Sequence, residues 1–335
     1  MRDTDYKGIN TLIRTYELRL LKQEDFERLI KADSLKAALD FLKTSDYEFD
    51  TEEVLHNKDF NGFLITHLAR VYSELYEVAP QPELLDLFTL RYSYHNLKVL
   101  LKECFLEQNH SELLIPIGRL SIESLRNLVE TKESNAAHPI MAEAVKSVVE
   151  DYEESGRIEA VTVYMDTYYL RHLRAISDGL NNETITRITD LIIDMYNLTT
   201  VVRSRKQDKP RSHLYALLSS AGSISKQELI DESINGPVAV IRKLYGGQSY
   251  SSELEKVISS DANTVQTLKL DKLQADLIHD VVSSGLYEAF GPMPLLGYVY
   301  AKETEVTNLR LLLVGKDNAI NEDILRERVR QVYGS

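Results

Sequence analysis

Residues 82–105 read PELLDLFTLRYSYHNLKVLLKECF, and the pattern returns twice, through YNLTTVVR at 196–203 and TNLRLLLV at 307–314. Counted from Asn96, Asn197 and Asn308, position +1 holds Leu97, Leu198 and Leu309. Position +4 holds Leu100, Val201 and Leu312, and +5 holds Leu101, Val202 and Leu313. Upstream, Leu87, Ile188 and Val299 share −9, while Tyr94, Met195 and Val306 share −2. Offsets of three, four and seven residues gather side chains on one helical face, so the three stretches predict three amphipathic helices of one design. Pro82 and Pro294 both stand at −14, where a helix start tolerates a missing N–H. Glu183 takes that place in the middle copy and suits the positive end of the helix dipole.

A second marker keeps the same order. Gly118-Arg119-Leu120-Ser121 with Leu125 matches Gly222-Ser223-Ile224-Ser225 with Leu229, and both serines are placed to cap a leading helix. Ser225 and Glu228 have capping-box spacing. The corresponding helix of the first cycle runs from Leu21 to Phe26 without the glycine or the serine. From Leu21 to Leu120 to Ile224 the steps are 99 and 104 residues, and between the asparagines they are 101 and 111. These periods divide the chain into helical repeats at 1–117, 118–221 and 222–335. They are far longer than solenoid repeats, so each cycle has enough helices to bury a core of its own. Three such units in one chain predict an all-α fold with three similar domains around a pseudo-threefold axis, funnel-like with a central opening.

Composition agrees with a helical reading. Hydrophobic residues make up 43% and charged residues 27% of 335, and only 14 glycines and 8 prolines interrupt them. The net charge of −13 speaks against a nucleic-acid binder, which needs a dominant basic face. One cysteine, Cys104, excludes an intramolecular disulfide and a cysteine metal cage, and its apolar surroundings predict a buried small hydrophobe. No run of eighteen apolar residues occurs, and the opening MRDTDYKGIN is not a signal peptide, so no membrane-spanning segment and no export by that route are expected.

Between the markers, helices are predicted over 6–21, 22–30, 60–78, 140–152, 159–180, 237–245, 252–259, 268–285 and 323–332, with Ser34 capping one through Leu42. The acid-rich stretch 46–53 reads as a solvated loop running into a helix start.

Catalysis needs converging groups, and none converge. HExxH, GxSxG, CxxC and GxGxxG are all absent. The eight histidines are scattered, and His67 and His172 sit in amphipathic helices as core or boundary residues. Val314-Gly315-Lys316 lacks the rest of a phosphate loop and reads as a glycine C-cap with a dipole-complementing lysine. No catalytic, cofactor or metal site is therefore expected.

Asn96, Asn197 and Asn308 have two readings. Each amide either fixes its helix against a neighbouring segment, or lines the opening and meets a partner together with Lys98, Arg203, Arg205 and Arg310. Cations near helix C-termini are favoured by the dipole whatever their function. Arg203-Ser204-Arg205-Lys206 is the best single contact candidate, because an acidic chain has few such places.

The ordered set Tyr94-His95-Asn96-Leu97-Lys98, Tyr196-Asn197-Leu198 with Arg203, and 302–310 (KETEVTNLR) with Gly315-Lys316 resembles the C subunit of prokaryotic V/A-type rotary ATPases. That family is related to the d subunit of the eukaryotic vacuolar enzyme. Length and triple repeat match as well, so the likeness covers the whole chain. The resemblance implies an all-α, funnel-shaped, non-catalytic rotor adaptor that brings no catalytic residues. It would link the central stalk to the membrane proteolipid ring through the ring's polar loops, cytoplasmic and peripheral to the membrane, in an ATPase or ATP synthase moving protons or sodium ions. The alternative is an unrelated helical scaffold for another soluble protein. An enzyme with unrecognised Asp/Glu chemistry ranks behind both.

Overall fold

The computed structural model describes residues 3–259 and 264–334, and among these the protein is all-α. The helices run, in order, α1 (Lys7–Glu17), α2 (Gln23–Lys31), α3 (Leu35–Leu42), α4 (Thr51–Asn57), α5 (Phe60–Val78) and α6 (Glu83–Leu106). There follow α7 (Ile122–Thr131), α8 (Pro139–Ser155), α9 (Glu159–Leu180), α10 (Glu183–Lys206), α11 (Arg211–Leu217) and α12 (Lys226–Glu232). The rest are α13 (Pro237–Leu244), α14 (Ser251–Glu255), α15 (Thr267–Val282), α16 (Met293–Asp317) and α17 (Glu322–Arg328). The three asparagine stretches form α6, α10 and α16, three long helices of 24, 24 and 25 residues.

The fifteen apolar side chains assigned to their shared face are all buried, none more than 3% exposed. Burying one such side chain fully contributes roughly 1.5–3 kcal/mol, so this face holds each long helix in its core. Helix starts follow the sequence. Ser34 accepts the Ala37 N–H, Ser121 accepts the Ser124 N–H, and Ser225 accepts the Glu228 N–H. The Ser225 hydroxyl also donates to the Glu228 carboxylate at 2.6 Å, so that pair closes side chain to side chain. Asp50 caps α4 where the acidic loop ends.

Several expected ends move, each for a physical reason. The first helix stops at Glu17 rather than running to Leu21, because the Leu21 N–H is taken by the Glu305 carboxylate at 2.6 Å. The predicted helix over 252–259 ends at Glu255, and Ile258 makes an isolated antiparallel bridge with Val265. The last helix stops at Arg328, since both backbone polar groups of Arg330 are bonded to Asn308. Gly315 is no C-cap: it lies inside α16, where a Cβ would collide with Leu325. Cys104 is exposed rather than buried, because the last turn of α6 is uncovered, with Leu106 also 43% exposed.

The chain forms two compact units. One joins residues 1–88 to 279–335, and the other is residues 89–278. In the first, α16 is the central element, with α1, α3, α5 and α17 packed around it. It is buried almost all round from Met293 to Val306, as befits a helix inside a core. In the second, α8 packs on α9, and α10 packs on α9, α11 and α13.

Candidate partner-binding site

Each of the three asparagines holds one backbone residue by both ends of its amide. Asn96 Nδ2 donates to the Ile115 carbonyl at 2.7 Å, and its Oδ1 accepts the Ile115 N–H at 2.8 Å. Asn197 does the same to Ser219 at 3.0 and 2.9 Å, and Asn308 to Arg330 at 3.0 and 2.9 Å. Only asparagine or glutamine offers a donor and an acceptor side by side for this pairing. The amides are at most 1% exposed and fully engaged inside the chain. They are structural clamps, out of reach of a partner's surface.

A companion polar residue three positions before each asparagine meets a segment distant in sequence. Ser93 Oγ lies beside Gly118, where a Cβ would come within 2.8 Å of it, and Gly118 has a φ of +138°. Asp194 accepts the Ser223 N–H at 2.9 Å and the Ser223 hydroxyl. Burial pushes the Asp194 carboxyl up, against the opposing Ser223 bonds. Glu305 accepts the Leu21 N–H. Sequence reading missed Ser93, Asp194 and Glu305, although their common −3 offset and polar character were there to see among apolar neighbours.

Around Glu305 a charged group is sealed into the core of its unit. Tyr47 donates to Glu305 at 2.7 Å, and Lys302 pairs with the same oxygen at 2.7 Å. Lys302 and Glu305 are 1% and 3% exposed, so their charges depend on each other. Tyr72 donates to Glu303 at 2.8 Å. The His67 ring lies 4.2 Å from that of Tyr47, and burial, with Lys302 and Arg70 nearby, lowers its pKa to about 4. Burial first, and then Glu305, hold the Tyr47 hydroxyl well above its usual value. Lys316 donates to the Ile30 carbonyl and, at 2.8 Å, to that of Ala32, so it complements the C-terminus of α2 rather than that of its own helix.

The predicted bases separate into distinct environments. Lys98 forms an ion pair with Asp166 of α9 and is spent within the unit. Arg310 is half-buried, and its Nε has no hydrogen-bond partner among the described residues. Arg203 and Arg205 are exposed in the last turn of α10, with Ser204 buried between them. Lys206 and Lys209 are exposed beside them. Of the seven candidates, Arg203 and Arg205 are thus the ones fully open to a partner. No group of three metal-ligating side chains that could hold an ion, and no helix long and apolar enough to cross a membrane, occurs among the described residues.

A family model described as ATP synthase (C/AC39) subunit matches residues 9–328. The chain belongs to this family. It is 32% identical over 329 residues to the C subunit of the V-type sodium ATPase of Enterococcus hirae, a match spanning 98% of this chain and 99% of that one. It is 24% identical over 343 residues to the C subunit of the A-type ATP synthase of Methanocaldococcus jannaschii, across 96% of this chain and 85% of the relative. Against the C subunit of the A-type ATP synthase of Methanobrevibacter smithii it is 24% identical over 324 residues, across 92% of this chain and 83% of the relative. As a member of the C/AC39 family the chain is a non-catalytic component of a V/A-type ATPase assembly, and its partners are other subunits of that assembly. An unrelated scaffold and an independent enzyme are both set aside by a match of this length.

Proposed function

We propose that the chain is the rotor adaptor of its ATPase, joining the central stalk to the membrane proteolipid ring at the cytoplasmic face. It passes rotation between them for ATP-driven or ATP-forming transport of protons or sodium ions. We read it as three copies of one helical module, each carrying an amide clamp. The observation that carries the reading is the end-to-end match to the C subunit of a V-type sodium ATPase, with 98% and 99% of the two chains aligned. The physics supports it. A torque-bearing link must be stiff, and packed helices give stiffness that long loops cannot. The buried amide bonds of Asn96, Asn197 and Asn308 tie each long helix to the segment that follows it. Both buried charge and buried amides resist sliding, because moving them exposes unpaired polar groups to an apolar core.

The test is reconstitution of the complex in vesicles with and without the chain. Without it, the soluble head should still hydrolyse ATP while ion pumping is lost, and adding the chain back should restore pumping. Ion pumping at the full rate in its absence would remove the adaptor role.

A further inference from the structure

We infer that the end of α10 is a docking tip for a carboxylate-rich segment of another subunit of the assembly. The inference rests on the reading of the chain as a subunit that must hold its neighbours. Within residues 203–209 stand Arg203, Arg205, Lys206 and Lys209, all exposed, and Asp208 is the one acid among them. None of these four cations makes an ion pair among the described residues. Six cations elsewhere, Arg14, Lys58, Lys98, Arg126, Arg174 and Arg242, each face a carboxylate. Arg211, just beyond the tip, is itself tied to Asp231. A chain of net charge −13 therefore keeps a concentrated positive point unneutralised.

The tip is ordered. Gln207 N–H donates to the Arg203 carbonyl at 3.0 Å, and Lys209 N–H donates to the Ser204 carbonyl at 2.9 Å, closing the turn. Asp208 adopts a φ of +53° to make that closure. A backbone closed by such bonds has less conformational freedom to lose on docking than an open loop.

Its shape and chemistry select the partner. At about 100° per residue, Arg203, Arg205 and Lys206 splay around the end of the helix while Ser204 faces the core. That makes a convex cap rather than a flat stripe. Residues 203–210 include no exposed apolar side chain to enter a bilayer interface, apart from the Pro210 ring. A lipid surface held by charge alone, without apolar insertion, is a weak anchor. Two arginine forks matched to carboxylates give directed, charge-assisted bonds, and a flexible acidic segment can wrap a convex cap.

The test uses the isolated chain at low salt and a fluorescein-labelled decaglutamate peptide, read by anisotropy. The wild-type chain should bind the peptide, and salt should weaken binding steeply. The Arg203→Glu/Arg205→Glu variant should bind about tenfold more weakly or worse. Its helicity and thermal unfolding should be unchanged, since both side chains lie on the surface. The milder Arg203→Gln/Arg205→Gln variant should lose a smaller share and guards against misfolding of the charge reversal. The Lys7→Glu/Lys43→Glu control, which changes net charge equally at two other exposed lysines, should stay within about twofold of wild type. Equal peptide binding by wild type and both tip variants would overturn the inference. So would retention on vesicles containing phosphatidylglycerol that is lost in the tip variants, which would make the tip a lipid contact. Either failure would leave the adaptor reading intact, because that reading is judged by ion pumping in the assembled complex.

Discussion

Glu305 accepts the backbone N–H of Leu21 at 2.6 Å, and these two residues are 284 apart in sequence. The same carboxylate takes the Tyr47 hydroxyl and pairs with Lys302, so one side chain closes the first unit from both ends of the chain. With Lys302 and Glu305 almost wholly buried, either charge alone would be stranded. Glu305→Ala should therefore destabilise the unit by about 3–5 kcal/mol. Replacing both charges, Lys302→Met with Glu305→Leu, should cost much less than the single change. Urea unfolding of the three proteins checks this, and a double variant no more stable than Glu305→Ala would show that the lost Leu21 and Tyr47 bonds dominate.

The three amide clamps should not be equal. Removing the Asn197 side chain strands both backbone groups of Ser219, which is 5% exposed, at about 1–3 kcal/mol for each group. Ile115 and Arg330 are half-buried, so water can replace part of what Asn96 and Asn308 supply. Asn197→Ala should accordingly lower the unfolding temperature more than Asn96→Ala or Asn308→Ala. Hydrogen exchange at residues 217–223 should accelerate in the first variant, and equal effects at all three sites would contradict the ranking.

Stability should fall on mild acidification. Burial lowers His172 to about 3, helped by His138, whose ring stacks on it at 4.2 Å, and by Arg119. His67 is lowered to about 4. The unfolded chain takes up these protons near pH 6.5 while the folded chain refuses them, so stability is full above about pH 6.5 and is lost as pH drops toward 4 and 3. By pH 5 each histidine should cost about 2 kcal/mol. Melting curves between pH 5 and 7.5 should slope accordingly, and His172→Asn should flatten part of that slope. An unchanged slope would mean that His172 is not the group responsible.

Gly297 is a contact position. A Cβ there would strike the Tyr333 side chain and lie 3.0 Å from the Val282 carbonyl. Gly297→Ala should cost about 1–3 kcal/mol. Adding Tyr333→Leu should recover part of the loss by making room. Strictly additive effects in that double-mutant cycle would argue against the collision.

Much of this was legible in the sequence because it is written locally. The face of α6, α10 and α16 follows from offsets of three and four residues, and the serine caps follow from one residue type beside an apolar run. The boundaries of α5 and α9 coincide with the predicted spans. Illegible were the features set by distant partners. Nothing near Leu21 announces that Glu305 will end the approach to α2, and nothing near Arg330 announces Asn308. Gly315 looked like a cap because a glycine near a helix end usually is one, whereas here it admits Leu325. Of the candidate residues, Arg203 and Arg205 are exposed, as charged side chains at a helix end usually are. The burial of the asparagines followed from packing that no single stretch encodes.

The first unit gathers residues 1–88 and 279–335, with 89–278 between them. During synthesis its opening helices leave the ribosome without α16, the helix they pack on. At about 5–20 residues per second they wait roughly 10–40 s for the intervening segment to be made. The unit that comes second along the chain is thus the first able to fold. Until α16 emerges, the segment through residue 88 is the part of the nascent chain that most needs shelter from premature association.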